Sequence, residues 1–342
     1  MKAVLTWMLV WLAAGGTGWS SPVGSNGPQS RKLGGLDYLS LTDWVTQNEL
    51  QPEWVRKEKS LVAANRLTRL EFEADTRDIS LNGVKVRLSF PILLQDGGLW
   101  VSRIDAQAAL KPAVHPPRNP TSSHVRRIVL DPGHGGKDPG FQDGSRQEKR
   151  YALLLALDLA VELKRAGYEV FLTRGTDKYI ERELRPELAR VRKADLFISL
   201  HWNSVGTTRN DVQGAQVYCL TPAGAPSSNA SGNEIGTTSW PGNRYDDRNF
   251  YLAYAIQRAL KNTLGAEDRG VLRARFEVLR LAEVPAVLVE GGFMSNPVES
   301  RKIYDPAYRH QMARAIVAGV RTYQSEVERT AKATPKGRVT SR

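Results

Sequence analysis

The sequence predicts an α/β fold in which a mostly parallel sheet is flanked by helices on both faces and preceded by a small α+β domain. Three observations carry that expectation. After residue 126, short β-branched apolar runs alternate with longer stretches of helical period, the pattern of strands joined by crossover helices. Before residue 110, short strand-like runs are separated by Asn82-Gly83 and Asp96-Gly97-Gly98, which are hairpin turn signals. Between the two regions, residues 111–124 hold four prolines and few apolar side chains, the composition of a linker.

In chain order, residues 1–23 read as an export signal: Lys2 gives a positive end, "AVLTWMLVWLAAGG" an apolar stretch and "TGWSSPVGS" small residues suited to cleavage. A single membrane anchor is the alternative, but the apolar core is shorter than the ~20 residues a span needs. Residues 33–109 form the accessory domain, with a helix in "DYLSLTDWVTQN" and strands in "RLEFEADTRDISLNGVKVRLSFPILLQDGGLWVSRID". Residues 110–125 are the Pro-rich linker. Residues 126–326 form the main domain: strand "RRIVLD", a long helix stopping at Gly167, strand "YEVFLTR", a helix from Glu183 to Lys193, then strands "ADLFISLH" and "AQVYCLT". An amphipathic helix "NFYLAYAIQRALKNTLG", strand "PAVLVEGG" and a last helix complete it, and residues 327–342 are a basic tail.

Cys219 is the only cysteine, so no intramolecular disulfide forms, and its strand context suits a small buried hydrophobe. An exported chain without disulfides fits a bacterial periplasm or cell envelope. The net charge of +12 points to an acidic partner. Nucleic acid is disfavoured, since no aromatic-basic motif accompanies the charge and export conflicts with it.

In parallel α/β folds, functional groups gather at the carboxyl ends of strands. "IVLDPGHGG" leads into His134, "LFISLHWNS" carries His201, "AVLVEGGF" carries Glu290, and Glu148 opens the first long helix. Of the five histidines, His115 and His124 lie in the linker and His310 on the last helix, where surface or capping roles suffice. Taken singly, His134 is open to three readings: a phosphate loop, a structural histidine or a metal ligand. The phosphate-loop pattern fails, because Asp131 stands where its first glycine belongs and Asp138 replaces Ser/Thr. Neither HExxH nor GxSxG occurs. Two imidazoles and one carboxylate suit catalytic zinc with a fourth position open to water, leaving Glu290 outside the ligand set as a general base.

Several blocks occur in a characteristic order: "IVLDPGHGGKDPG", "EKRYALLLALDLAVELKRAGYEVFLTR", "RPELARVRKADLFISLHWNS", "GAQVYCLT", "RGV", "FEVLR" and "PAVLVEGGFMSNP". From Arg126 to Glu326 they resemble the zinc-dependent N-acetylmuramoyl-L-alanine amidases of bacterial cell walls. The resemblance implies zinc held by His134, Glu148 and His201, with Glu290 as catalytic base. It implies hydrolysis, by zinc-activated water, of the peptidoglycan amide between N-acetylmuramic acid and L-alanine. It also implies a substrate or structural role for Arg185 and a substrate contact at Asn203. Trp202 and Gln147 depart from the usual pattern without removing a ligand. A catalytically dead wall-binding module and a zinc peptidase of other specificity are the rival readings.

The accessory region resembles the small modules at the front of copper amine oxidases and some bacterial wall enzymes. Envelope or division-site proteins are the partners expected besides peptidoglycan, and no transmembrane segment is expected in the mature chain. Residues 221–248, rich in Gly, Ser, Asn and Pro, read as a surface loop or, alternatively, as a lid beside the zinc.

Overall fold

The computed structural model describes residues 27–119, 124–206, 211–228 and 235–329. The expected export signal, and the tail beyond residue 329, lie outside these residues. The accessory region begins with β1 (Ser30–Leu33), β2 (Leu36–Ser40) and α1 (Leu41–Gln47), whose first turn is capped by the Ser40 side chain accepting from Asp43 N–H. An antiparallel meander follows: β3 (Gln51–Arg56), β4 (Ser60–Ala64), β5 (Arg69–Glu73), β6 (Asp78–Leu81) and β7 (Val84–Arg87). β8 (Leu93–Gln95) and β9 (Gly98–Ser102) close a four-stranded sheet in the order β1-β2-β9-β8. Both expected hairpins form, with positive φ at the two central residues: 48° and 80° at Asn82 and Gly83, 51° and 75° at Asp96 and Gly97. Helical backbone then runs through α2 (Arg103–Asp105), a π-turn at 106–110 and α3 (Lys111–Val114). The proline-rich segment therefore begins as helix, with Pro112 buried at its first turn.

The second region contains β10 (Arg127–Pro132), a two-residue ladder of β11 (Gln142–Asp143) and β12 (Arg146–Gln147), α4 (Glu148–Arg165), β13 (Glu169–Leu172), α5 (Leu184–Val191) and β14 (Leu196–Asn203). β15 (Ala215–Leu220), a second two-residue ladder of β16 (Ala225–Pro226) and β17 (Ile235–Gly236), α6 (Asp246–Leu264), β18 (Asp268–Ala274), α7 (Glu277–Arg280), β19 (Ala286–Phe293), α8 (Pro297–Tyr304) and α9 (Pro306–Val327) follow.

Eleven strands form one sheet in the order β13-β10-β14-β19-β15-β18-β7-β6-β5-β4-β3. The expectation of a mostly parallel sheet is corrected here: this is a mixed sheet in a mixed α/β fold. β13, β10, β14 and β19 pair in parallel, but β15 runs antiparallel to β19, and the meander β7 to β3 is antiparallel throughout. A parallel neighbour needs a crossover to carry the chain back to the starting edge. Residues 204–214 hold no helix among those described, so β15 enters from the edge where β14 ends and must descend. The accessory meander joins the same sheet through Val86 opposite Val271.

Period-two alternation sorts the central side chains. Ile128, Leu130, Ile198, Leu200, Trp202, Val287 and Val289 enter the large core shared with α4, α6 and α9. Val129, Phe197, Ala286 and Leu288 face the other way, into a smaller core with Leu279 of α7. Helices thus cover both faces. Asp131, Ser199, His201 and Glu290 continue the second set, placing polar groups where that thinner layer ends.

Candidate metal centre

Near the end of β10 lies Asp131, a fully buried carboxylate that accepts from Thr173 Oγ1 (2.7 Å), Ser199 Oγ (2.8 Å) and Arg185 Nη1 (2.9 Å). Arg185, itself buried, also donates to the carbonyls of Ile180, Pro132 and His134. Arg174 grips the same turn through the carbonyls of Pro132 and Gly133 and reaches Lys149 O on α4. Two guanidiniums thus bind the carbonyls of residues 132–134 and hold His134 at φ 60°, a left-handed conformation uncommon for a residue with a side chain. Neighbouring glycines are required by proximity. A Cβ on Gly133 would lie 2.2 Å from the His201 ring, and one on Gly140 2.6 Å from Glu148 Oε2 and 2.7 Å from the His134 ring.

On that scaffold His134, Glu148 and His201 converge. Glu148 Oε1 lies 3.1 Å from His134 Nε2 and 3.0 Å from His201 Nδ1, and one donor atom from each residue falls within 4.8 Å of the others. The two imidazoles meet edge to face, with centroids 4.9 Å apart. Glu148 is buried at the first turn of α4 and fixed by two backbone donors, Trp202 N–H to Oε1 at 3.2 Å and Phe141 N–H to Oε2 at 3.0 Å. Burial works against its ionised form, but the two histidines outweigh burial and hold the carboxyl well below the usual range. Burial likewise opposes charge on His134, yet Glu148 and Asp138 carry its pKa upward. Asp138 Oδ2 sits 2.9 Å from His134 Nδ1, the outward side of the ring.

Glu290 stands opposite His201 in the β14–β19 register. Its Oε2 is buried without a hydrogen-bond partner, and burial, then the Glu148 charge, push its pKa well above the carboxylate range. The groove holding these four residues is about 340 Å³ in volume, with Tyr179, Ile180, Phe276, Val278, Trp202 and Asn203 among its walls. Two imidazoles, an ionised carboxylate and a buried carboxyl in want of a counter-charge form a donor set that fits a divalent cation of the zinc type.

Comparison with known proteins agrees with this geometry. Residues 128–322 match the family model for N-acetylmuramoyl-L-alanine amidase, which takes in every residue of the cluster and Glu290. The chain belongs to that amidase family. The chain is 35% identical over 219 residues to AmiC of Neisseria meningitidis serogroup B, spanning 57% of this chain and 52% of the relative. It is 34% identical over 231 residues to AmiA of Escherichia coli K12, spanning 60% of this chain and 79% of the relative. AmiC2 of Nostoc punctiforme, a solved structure, aligns at 31% identity and a TM-score of 0.49 over 59% of this chain and 98% of that one. The chain thus spans about half the length of the first of these relatives.

Other sequence expectations resolve plainly. His115, His124 and His310 lie away from the amidase groove, bonded to Asn48, Glu328 and Asp158 respectively. Cys219 is buried, with its Sγ 3.6 Å from Leu272 O. Trp202 is buried in the large core, with its ring against the position of Gly291. Asn203 lines the groove and accepts from Ser204 N–H. For residues 221–248 the described part favours the surface loop over the lid. Because β15 descends from the metal edge, the segment that follows it starts at the far edge of the sheet, and none of its described residues lines the groove. Arg275 ties it there through the carbonyls of Pro222, Ala225 and Gly236. Sequence reasoning missed Asp131, Arg174 and Asp138. The signal for the first was present: an acid closing a buried strand demands a cationic partner.

Proposed function

We propose that the chain is an exported, zinc-dependent peptidoglycan hydrolase that cleaves the amide joining N-acetylmuramic acid to L-alanine. The observation that carries this is the convergence of His134, Glu148 and His201 beside the unpartnered carboxyl of Glu290. His134, Glu148 and His201 would hold the zinc, which supplies Lewis-acid polarisation of the amide carbonyl and lowers the pKa of water. Glu290 removes the proton of the attacking water at its free Oε2 and then delivers it to the departing L-alanine nitrogen. The walls formed by Phe276 and Val278 limit water around the reacting amide. Asn203, at the groove wall, contacts substrate, whereas Arg185 positions His134, because its Nε, Nη1 and Nη2 all donate to protein oxygens.

Residues 1–23 direct export to the periplasm or cell envelope, and no described helix is long and apolar enough to cross a membrane. Residues 33–109, 110–125 and 126–326 serve as accessory module, connection and amidase region, with envelope or division-site proteins as partners. Product analysis tests the reading. Purified sacculi treated with the protein should yield glycan with free lactyl carboxylates and peptides beginning with L-alanine. Cleavage at another bond would reject the assignment.

A further inference from the structure

A second cavity, about 440 Å³, adjoins the cluster through Phe141, which is bonded to Glu148. Its walls come from the β11–β12 ladder (Phe141, Gln142, Asp143, Arg146) and from the segment after β19 leading into α8 (Met294, Ser295, Arg301). Both walls are built into the metal centre. Phe141 N–H is bonded to Glu148 Oε2, and Met294 N–H donates to Asn203 O, 2.8 Å away. Arg146 lies two residues before Glu148, its guanidinium 4.3 Å above the Tyr304 ring. That stacking and a hydrogen bond to the Tyr304 side chain restrict the guanidinium, whose remaining N–H groups are left for a ligand. Among the described residues neither Arg146 nor Arg301 forms an ion pair, whereas most other arginines near the groove are committed to protein oxygens. Asp143 is the single carboxylate in the wall, so the cavity has an excess of positive charge.

We infer that this cavity is a carboxylate-recognising subsite, in which Arg146 and Arg301 bind acidic groups of the peptide that follows the scissile amide. The inference rests on the hydrolase reading above and adds an orientation to it. The first groove takes the sugar side, and the arginine cavity takes the peptide side. Substrate polarity across the cluster is thereby set by charge, since carboxylates occur on the peptide and the linked lactyl group is neutral. Bidentate guanidinium–carboxylate pairing supplies the selectivity.

Direct titration tests it without requiring turnover. Peptides beginning with L-alanine and carrying either free or amidated side-chain carboxylates are titrated into zinc-loaded wild type and the Arg146→Gln/Arg301→Gln double variant. Wild type should bind the acidic peptide about tenfold more tightly than the amidated one, and the double variant should bind both alike. Both arginines are exposed, so an unchanged melting temperature verifies folding. Equal affinity of wild type for the two peptides, or a preference retained in the double variant, would overturn the subsite. Failure of the hydrolase reading would show instead in the products from sacculi.

Discussion

Gly133 shows how narrowly the metal centre is set. A methyl group there would fall 2.2 Å from His201 Cε1, and the ring has no room to retreat because its partner Glu148 is fixed by Trp202 N–H and Phe141 N–H. Gly133→Ala should therefore fold but lose bound zinc, read as metal per protein after dialysis; stoichiometric zinc in the variant would refute the packing argument. Arg185 tests the scaffold beneath. Its ion pair with Asp131 is fully buried, and removing one partner of such a pair costs about 3–5 kcal/mol. Arg185→Met should lower stability by that order in a urea titration, and a change below ~1 kcal/mol would place the restraint of the His134 turn elsewhere. These contacts were the least legible part of the chain. His134, Glu148, His201 and Glu290 were visible as residue types at strand and helix ends. The grip of Arg174 and Arg185 on three carbonyls depends on backbone geometry that no spacing reveals.

Elements were legible where their signals are local. α4 stops before Gly167, α1 starts at a capping serine, and both accessory hairpins turn at Asn-Gly or Asp-Gly, because caps and turns are decided by neighbouring residues. Strand direction was not legible, since "AQVYCLT" reads the same whether it ascends or descends. The descent of β15 follows from the lack of a crossover helix among the described residues, and it starts the following segment at the edge opposite His201 and Glu290. Excising residues 228–235 and closing the gap with Gly-Ser should leave kcat/KM on sacculi within about twofold of wild type, since no described residue of 221–248 lines the groove. A loss of activity with the melting temperature intact would restore the lid. The N-terminus of α6 yields a pH prediction. Burial raises the pKa of Asp246 to about 6, despite Arg273 and the Asn243 side chain, above its value in the unfolded chain. The folded state then holds the proton more tightly, so as pH rises from about 4 through about 6 stability is lost. Asp246→Asn should consequently gain relative to wild type between pH 4 and pH 7, by at most about 3 kcal/mol. A gap between the two proteins that does not change with pH would contradict this.

At the scale of the whole molecule, a continuous mixed sheet carries the accessory meander at one end and the metal centre near the other. Folding brings together the candidate ligands at positions 134, 148 and 201, so a cation bound there only by the folded chain would stabilise all of it. Zinc at a hundred times its dissociation constant should add about 2.7 kcal/mol to unfolding, and His201→Ala should abolish that increment. The central claim is that zinc binding and proton transfer reside in different residues of one site. Zinc content and sacculus hydrolysis measured together on wild type, Glu148→Gln and Glu290→Gln test it most directly. Glu148→Gln should lose both metal and activity. Glu290→Gln should keep stoichiometric zinc while its rate falls by about 10²–10⁴. Full hydrolysis by zinc-loaded Glu290→Gln, or by chelator-treated wild type, would contradict it.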